Sequence, residues 1–408
     1  MSINENSSRG IKIPTSDHCI RVRAVNTTTR MVCDARAFVE PVIKHHTKLN
    51  LPTLCFLLER QTNDGPRYTL YDCGARKDFW NGSPMAKSMI SNHISGLEVE
   101  KGVEEVLLEN GIDLGKLDAI VWSHWHWDHI GDVSRFPDSV DIVVGPGFVE
   151  NFTPGWPQNP SSPILARDIA GHRIHEPEFP LNIGGFNAHD YFGDGSFYLL
   201  DVPGHAVGHI CGLARTTPNT FVFLGGDCCH FAGAFRPSPS YPMPEYLSGD
   251  GLDPYFSLPC PCTVFTGIHP TANDAERARV QPFYKVSRTA GSAYTFGDQA
   301  QESIDRLPRF DSDPNIFILL AHDSILFETL PLFNDFPDRD VNDWKKRGYK
   351  ELCHWGFLNE FPRNDIPGRP PLVDGLRRDG RIIIYGDDGK FHDHEGHSVQ
   401  IKENTGSQ

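Results

Sequence analysis

Apolar positions along this chain fall into short runs with either strand or helix spacing, and several of the runs end on ionisable residues. Ile20 to Val25, Thr53 to Leu58 and Arg67 to Asp72 read as strands, with Gln61-Thr62-Asn63-Asp64-Gly65-Pro66 as a hairpin turn. Val99, Val103, Val106 and Leu107 recur at i, i+4, i+7 and i+8, which predicts an amphipathic helix stopped by Asn110-Gly111. Leu117 to Trp122 is a buried apolar strand, and Asp141 to Val144 a shorter one. Phe197 to Val202, Ile210 to Ala214, Thr220 to Leu224 and Asn315 to Ala321 continue the series. A helix is predicted from about Asp298 to Leu307, a helix-like aromatic stretch from Trp344 to Leu358, and a hairpin around Gly386-Asp387-Asp388-Gly389. No solenoid period is visible.

Four strands deliver their chemistry at their C-terminal ends. The first runs into Ser123-His124-Trp125-His126-Trp127-Asp128-His129, which places three imidazoles and a carboxylate within six positions. That density is a metal-site pattern, and a mixed His and Asp set suits zinc, iron, manganese or cobalt rather than calcium or magnesium. His124 and His126 share a side at period two, while Asp128 and His129 lie past the turn and face a second point, with Asp128 expected to cap a helix. A dinuclear site follows as the expectation. The other strands end at Pro203-Gly204-His205, at Gly225-Gly226-Asp227 and at His322-Asp323. His205 reads as a further ligand and Asp227 as a carboxylate able to bridge two cations. His209 reads as structural. Asp72, after the third strand, is either a brace behind the site or a turn residue.

Charge narrows the partners. With 38 basic against 53 acidic side chains the net charge is −15, and no Lys/Arg cluster offers a footprint for nucleic acid. No run of eighteen apolar residues exists to span a membrane. The polar N-terminus MSINENSSRG lacks an apolar signal stretch, so a cytoplasmic location is expected. The ten cysteines, including Cys228-Cys229 and Cys260-Pro261-Cys262, then read as free thiols, mostly buried. The expected organisation is a flexible leader over 1–17, one domain over 18–395, and a polar tail over 396–408. Insertions at about 145–190 and 231–312 are rich in Gly, Pro and aromatic residues and are expected to shape a pocket. Trp127, Phe148, Phe152, Trp156, Phe231, Phe235 and Tyr241 are its candidate walls. His392, Asp393, His394 and His397 read as a solvated cluster.

Taken in order, His124, His126, Asp128, His129, His205, Asp227 and His322 resemble the ligand pattern of the metallo-β-lactamase superfamily. Ser123 to Gly131, Pro203-Gly204-His205, Gly226-Asp227 and Ala321-His322-Asp323 are most similar to dinuclear N-acyl homoserine lactonases, over roughly residues 50 to 330. The resemblance implies an α/β fold, the αββα sandwich, here with loop insertions and a C-terminal extension. It implies one ion on His124, His126 and His205, a second on Asp128, His129 and His322, and Asp227 between them. Two divalent ions, zinc by general frequency, imply a bridging hydroxide that attacks the carbonyl of a cyclic ester or amide. One departure stands out. The lactonases place a tyrosine three residues after the bridging aspartate, and here that position is His230. An imidazole donates a proton near neutral pH more readily than a phenol, which a departing amide nitrogen needs. That departure points toward fungal lactamases that open benzoxazolinone-type toxins, with Asp227, His230 and Asp128 as the catalytic set. The alternatives are a glyoxalase II-like thioesterase and a non-catalytic binding protein on the same fold. The partner is a small cyclic molecule, with neither nucleic acid nor membrane, and homo-oligomerisation stays open.

Overall fold

Strands buried on both faces read as near-continuous apolar runs, and Leu51 to Leu58 of this chain is of that kind. The computed structural model describes residues 10–249 and 251–399. In it Lys48–Thr62 lies between Arg21–Asp34 and Gly65–Tyr71 and pairs antiparallel with both. Leu117–Val121, Asp141–Val143 and Ile174–His175 extend this sheet in parallel on one side. Ile94–Val99 and Gly375–Arg378 extend it on the other, and Arg381–Ile382 completes nine strands. The second sheet has six strands in the order Ile316–Leu319, Thr220–Leu224, Ile210–Thr217, Phe197–Asp201, Phe186–Asp190, Leu181–Ile183.

Side-chain alternation explains the layers. Leu54, Phe56 and Leu58 face the second sheet and share one core with Leu199, Val222, Leu224, Phe317 and Leu319. Their neighbours Cys55 and Leu57 face outward and are covered by Val103, Val106 and Leu107 of the helix Val103–Glu109. On the far side of the second sheet, Cys211, Leu213, Phe223 and Ile318 pack with Ala300, Ile304, Leu307 and Phe310. These come from the helices Gly297–Ile304 and Leu307–Asp311. Two sheets between two helical layers make the expected αββα sandwich.

The elements differ from expectation mainly at their boundaries. Val99 ends a strand instead of opening the helix, which starts at Val103 and stops at Asn110, followed by Gly111 at φ +81°. Trp344 to Leu358 breaks at Gly348, whose φ of +70° separates Trp344–Arg347 from Tyr349–His354. The hairpin around 386–389 is present as Ile384–Tyr385 paired with Phe391–His392. The C-terminal part adds Gly375–Arg378 to the first sheet beside Ile94–Val99. Residues 1–9 of the leader and 400–408 of the tail lie outside the described residues. The rest of the leader is tied down, with Ile11 N donating to Asp313 Oδ2 at 3.0 Å and Arg215 Nη2 donating to Pro14 O at 2.6 Å. All ten cysteines are free thiols, nine of them buried. Among the described residues no helix is long and apolar enough to cross a membrane.

Candidate metal centre

Sheet ends and tight turns bring the candidate ligands together. Leu117–Val121 is held in register by Trp122 N donating to Val143 O, and the chain then leaves the sheet through Ser123 to His126. The short helix Trp127–Ile130 follows, with His126 at its cap position and no side-chain cap. Asp128 was expected to cap this helix; it lies inside the first turn instead, which frees its carboxylate to face the site. Two glycines are required by close approach. Gly204 adopts φ +126°, and a Cβ there would meet the Ala300 backbone N at 2.1 Å; this packing sets the start of the His205 loop. Gly226 adopts φ +48° against Ser123, which brings Asp227 beside the histidine loop.

All seven candidate ligands are buried and fall into two groups that share Asp227. His124 Nε2 and His205 Nε2 lie 3.6 and 3.4 Å from Asp227 Oδ2, and His126 Nδ1 lies 2.9 Å from His205 Nε2. His129 Nε2 and His322 Nε2 lie 3.1 and 3.0 Å from Asp227 Oδ1. Asp128 Oδ2 is 3.6 Å from both of these nitrogens. The two oxygens of one carboxylate therefore face two different imidazole groups.

Hydrogen bonds fix which nitrogen each ring turns inward. His129 Nδ1 donates to Asp72 Oδ2 at 2.8 Å, and His322 Nδ1 donates to Pro52 O at 3.1 Å. Ser123 Oγ donates to Asp72 Oδ2 at 2.9 Å, so His124 Nδ1 donates to Ser123 Oγ at 3.0 Å. Each ring thus presents a bare Nε2. His129 Nε2, His322 Nε2 and Asp227 Oδ1 are buried and make no hydrogen bond, an arrangement that is costly unless a cation takes their lone pairs. The donor set and its orphaned atoms fit a metal pair. His209 is used up structurally, donating from Nδ1 to Val202 O and accepting Asp227 N–H on Nε2.

Asp72 is thus the brace and not merely a turn residue, although its φ of +63° does turn the chain. It also accepts Ser123 N–H on Oδ1 at 2.7 Å. Asp72→Asn is expected to weaken metal affinity by about 10- to 100-fold, read by competition with a chelator. Unchanged affinity would contradict the orienting role.

Electrostatics divides the two groups. Burial pushes His126 down to about 3 and, with neighbouring imidazoles, holds His124 well below the usual range, so both are neutral, the ligating form. For His129 burial is outweighed by Asp227, Asp72 and Asp128, which hold it well above the usual range. Burial would raise Asp227, but His129, His322 and His230 hold it well below. Three carboxylates around His129 make this half a cation site, where metal and protons compete.

A family model described as "Metallo-beta-lactamase superfamily" matches residues 50–225. Gamma-lactamase FDB1 of Fusarium pseudograminearum is 39% identical over 360 residues, covering 86% of this chain and 84% of its own. The metallo-hydrolase mfmC of Annulohypoxylon moriforme is 38% identical over 358 residues, 86% of this chain and 89% of its own. The chain belongs to the metallo-beta-lactamase superfamily. Gamma-lactamase MBL2 of Gibberella moniliformis is 42% identical over 244 residues, 58% of this chain and 99% of its own. This superfamily member is a metal-dependent hydrolase.

The candidate ligands floor a cavity of about 240 Å³. Met31, Phe38, Met85, Met89, Ile94 and Trp125 supply apolar walls, and His230 stands beside the candidate ligands. Met85 and Met89, read from sequence as available for packing or for a pocket wall, line the cavity, and of the seven aromatic walls expected from sequence Trp127 does. The other six do not. Phe148 packs on Trp122, Phe152 on Trp125, Phe231 on Phe357 and Phe361, and Tyr241 on His354. Phe235 lies under the Arg236 guanidinium, and Trp156 pairs within its own loop. The expected 145–190 insertion is shorter than its bounds, since Ile174–His175 belongs to the first sheet and Leu181–Ile183 and Phe186–Asp190 to the second; Phe148 and Phe152 pack behind Trp122 and Trp125 and support the histidine loop without reaching the cavity. The 231–312 insertion reaches it through Ser292, Ala293 and Thr295. Tyr294, absent from the residues expected at the site, places its hydroxyl 2.9 Å from His230 Nδ1. Nothing in the local pattern around Tyr294 signals that contact.

Proposed function

We propose that this chain opens a small cyclic amide or ester ring by two-metal hydrolysis. The observation that carries the reading is Asp227, with each oxygen turned to a separate buried imidazole group at the floor of an apolar pocket. His124, His126 and His205 would hold one ion, Asp128, His129 and His322 the other, and Asp227 both. The nitrogen-rich buried set suits zinc. When bound, such ions supply Lewis acidity toward a ring carbonyl and a water acidified to near neutrality. The names of FDB1 and MBL2, both gamma-lactamases, favour a cyclic amide, and a benzoxazolinone-type ring is of a size for the cavity.

The chain's own residues supply the positioning. Trp125, Trp127, Phe38 and Met89 exclude water from a flat ring above the floor. His230 is fixed at both nitrogens, with Nε2 3.0 Å from Asp227 Oδ2 and Nδ1 at the Tyr294 hydroxyl. Its ring stacks 5.7 Å from His322. It can therefore hold a proton at Nε2 for the departing ring atom, with Tyr294 behind it keeping the ring oriented. The phenol that the lactonase resemblance places at position 230 is present here on Tyr294, one hydrogen bond back from the site.

His230→Phe is expected to lower kcat on a benzoxazolinone by about 10²-fold, with a smaller loss on a homoserine lactone whose leaving alkoxide needs less help. Steady-state rates on both rings check this. An unchanged rate on the preferred ring would remove His230 from the chemistry. The thioesterase reading, which expects a mostly helical C-terminal domain, is not favoured by a C-terminal segment that adds Gly375–Arg378 to the first sheet.

A further inference from the structure

Three cavities share wall residues pairwise. The substrate pocket and a rear cavity of about 20 Å³ are both lined by His230 and His322. The rear cavity has room for a single water. On its other side Asn50, Ser324 and Glu360 line both that cavity and an outer groove of about 620 Å³. The groove opens on a different set of residues from the pocket mouth, among them Tyr255, Phe327 and Pro371.

Glu360 stands at the junction. It ends the short helix Gly356–Glu360, and its side chain is 10% exposed. Oε2 accepts from Asn50 Nδ2 at 3.1 Å, while Oε1 is buried and accepts no hydrogen bond. Asn50 is itself locked, donating to Pro370 O and accepting Leu372 N–H. The nearest cation is Arg369, with Nη1 3.9 Å from Oε1. Its charge is already engaged by Asp253 at 2.7 Å and Glu328 at 2.6 Å. An unpaired carboxylate oxygen at a wall between two cavities is expensive unless it meets water or carries a proton.

Ring opening leaves a proton to be removed. Water oxygen bonds to the carbonyl carbon, the ring C–O or C–N bond breaks, and the leaving atom takes one proton. The new acid, a carboxylic acid from a lactone or lactam and a carbamic acid from a benzoxazolinone opened at its ring C–O bond, then ionises, which leaves one proton per turnover at the centre when the leaving group is an alcohol, phenol or weakly basic amine. A pocket filled by product and walled by Met31, Phe38 and Trp125 is a poor exit for it.

We propose that Glu360, with the rear cavity and the Asn50 wall, forms a second route by which protons leave the centre for the outer groove while the pocket mouth is occupied. This rests on the ring-opening reading above. Burial lifts the Glu360 carboxyl to about 7, against the opposing pull of Arg369 and Asn50, with Asp323 and Glu328 as the other nearby carboxylates. A group that takes and gives a proton near neutrality suits the task. Glu360 touches no substrate and is a proton-relay residue.

The test compares the metal-loaded wild type, Glu360→Gln and Glu360→Ala on the two rings, in weak and strong buffer. Expected is a kcat for Glu360→Gln lower by about tenfold in weak buffer with KM unchanged and a larger solvent isotope effect. Acetate, but not equal chloride, should restore Glu360→Ala by occupying the vacated carboxylate position. Wild-type turnover of either ring upholds the hydrolase reading by itself. Given that turnover, Glu360→Gln with wild-type kcat, pH profile and isotope effect would overturn the relay alone. A loss that acetate and strong buffer leave untouched in both variants would also overturn it, as a structural effect. No wild-type turnover of either ring would overturn the relay together with the reading on which it rests.

Discussion

Asp227→Ala is expected to lose one bound metal equivalent and at least about 10³-fold in ring-opening rate. The geometry makes both losses follow from one side chain. Oδ1 lies within 3.1 Å of His129 Nε2 and His322 Nε2, while Oδ2 faces His124, His205 and His230. Without the carboxylate the three imidazoles His124, His126 and His205 keep a complete nitrogen site. The group of Asp128, His129 and His322 keeps only one carboxylate among its own members. The second group should therefore empty first. Metal analysis after dialysis, paired with initial rates, checks the pairing of the two effects. Full retention of two equivalents by the variant would show that Asp227 is not shared.

The second large effect concerns folding. Arg236 is 4% and Asp311 1% exposed, and they form a two-pronged pair, Nε to Oδ2 at 3.0 Å and Nη2 to Oδ1 at 2.6 Å. Arg236 Nη1 also donates to His354 O at 3.2 Å. This pair pins the segment after Asp227 and His230 to the helix Leu307–Asp311 beneath the second sheet. Arg236→Met is expected to destabilise the chain by about 3–5 kcal/mol, because it leaves a buried carboxylate uncompensated. Arg236→Met combined with Asp311→Leu should recover most of that loss. Burial would raise Asp311, but Arg236 outweighs burial and holds it below the usual range. A depressed carboxylate contributes its stability above the unfolded value, about 4, and loses it as pH falls through the lower folded value. The gap in melting temperature between wild type and Arg236→Met should therefore be full at neutral pH and narrow below about pH 4. Thermal melts across pH read this directly.

Much of this architecture is legible in the chain because its evidence is local. The near-continuous apolar run Thr53 to Leu58 marks a strand buried on both faces, and the strand-end residues His124, His205, Asp227 and His322 converge because the sandwich gathers those ends at one edge. Where the deciding contact is distant, the sequence is silent. The cavity walls Met31 and Phe38 look like ordinary core on paper, since a strand face carries no mark of what it faces. Tyr294 meets His230 across 64 positions through a loop with no periodicity. The aromatic residues of 145–190 suggested a pocket by composition, yet composition does not tell a wall from the packing behind it. Asp128 looked like a helix cap because Asp favours that position, but its helix starts one residue earlier and the carboxylate turns to His129 and His322. Asp72 shows the reverse: a residue at a turn whose second role appears only when His129 and Ser123 close on it.

A shared two-metal centre that opens a small ring needs both ions for full turnover. Zinc titration of the metal-stripped full chain, with turnover of a benzoxazolinone and an acyl homoserine lactone followed at each step, tests it most directly. Rates should reach their maximum at two equivalents, with the benzoxazolinone opened. A maximum at one equivalent, or hydrolysis of an acyl thioester with neither ring opened, would contradict it.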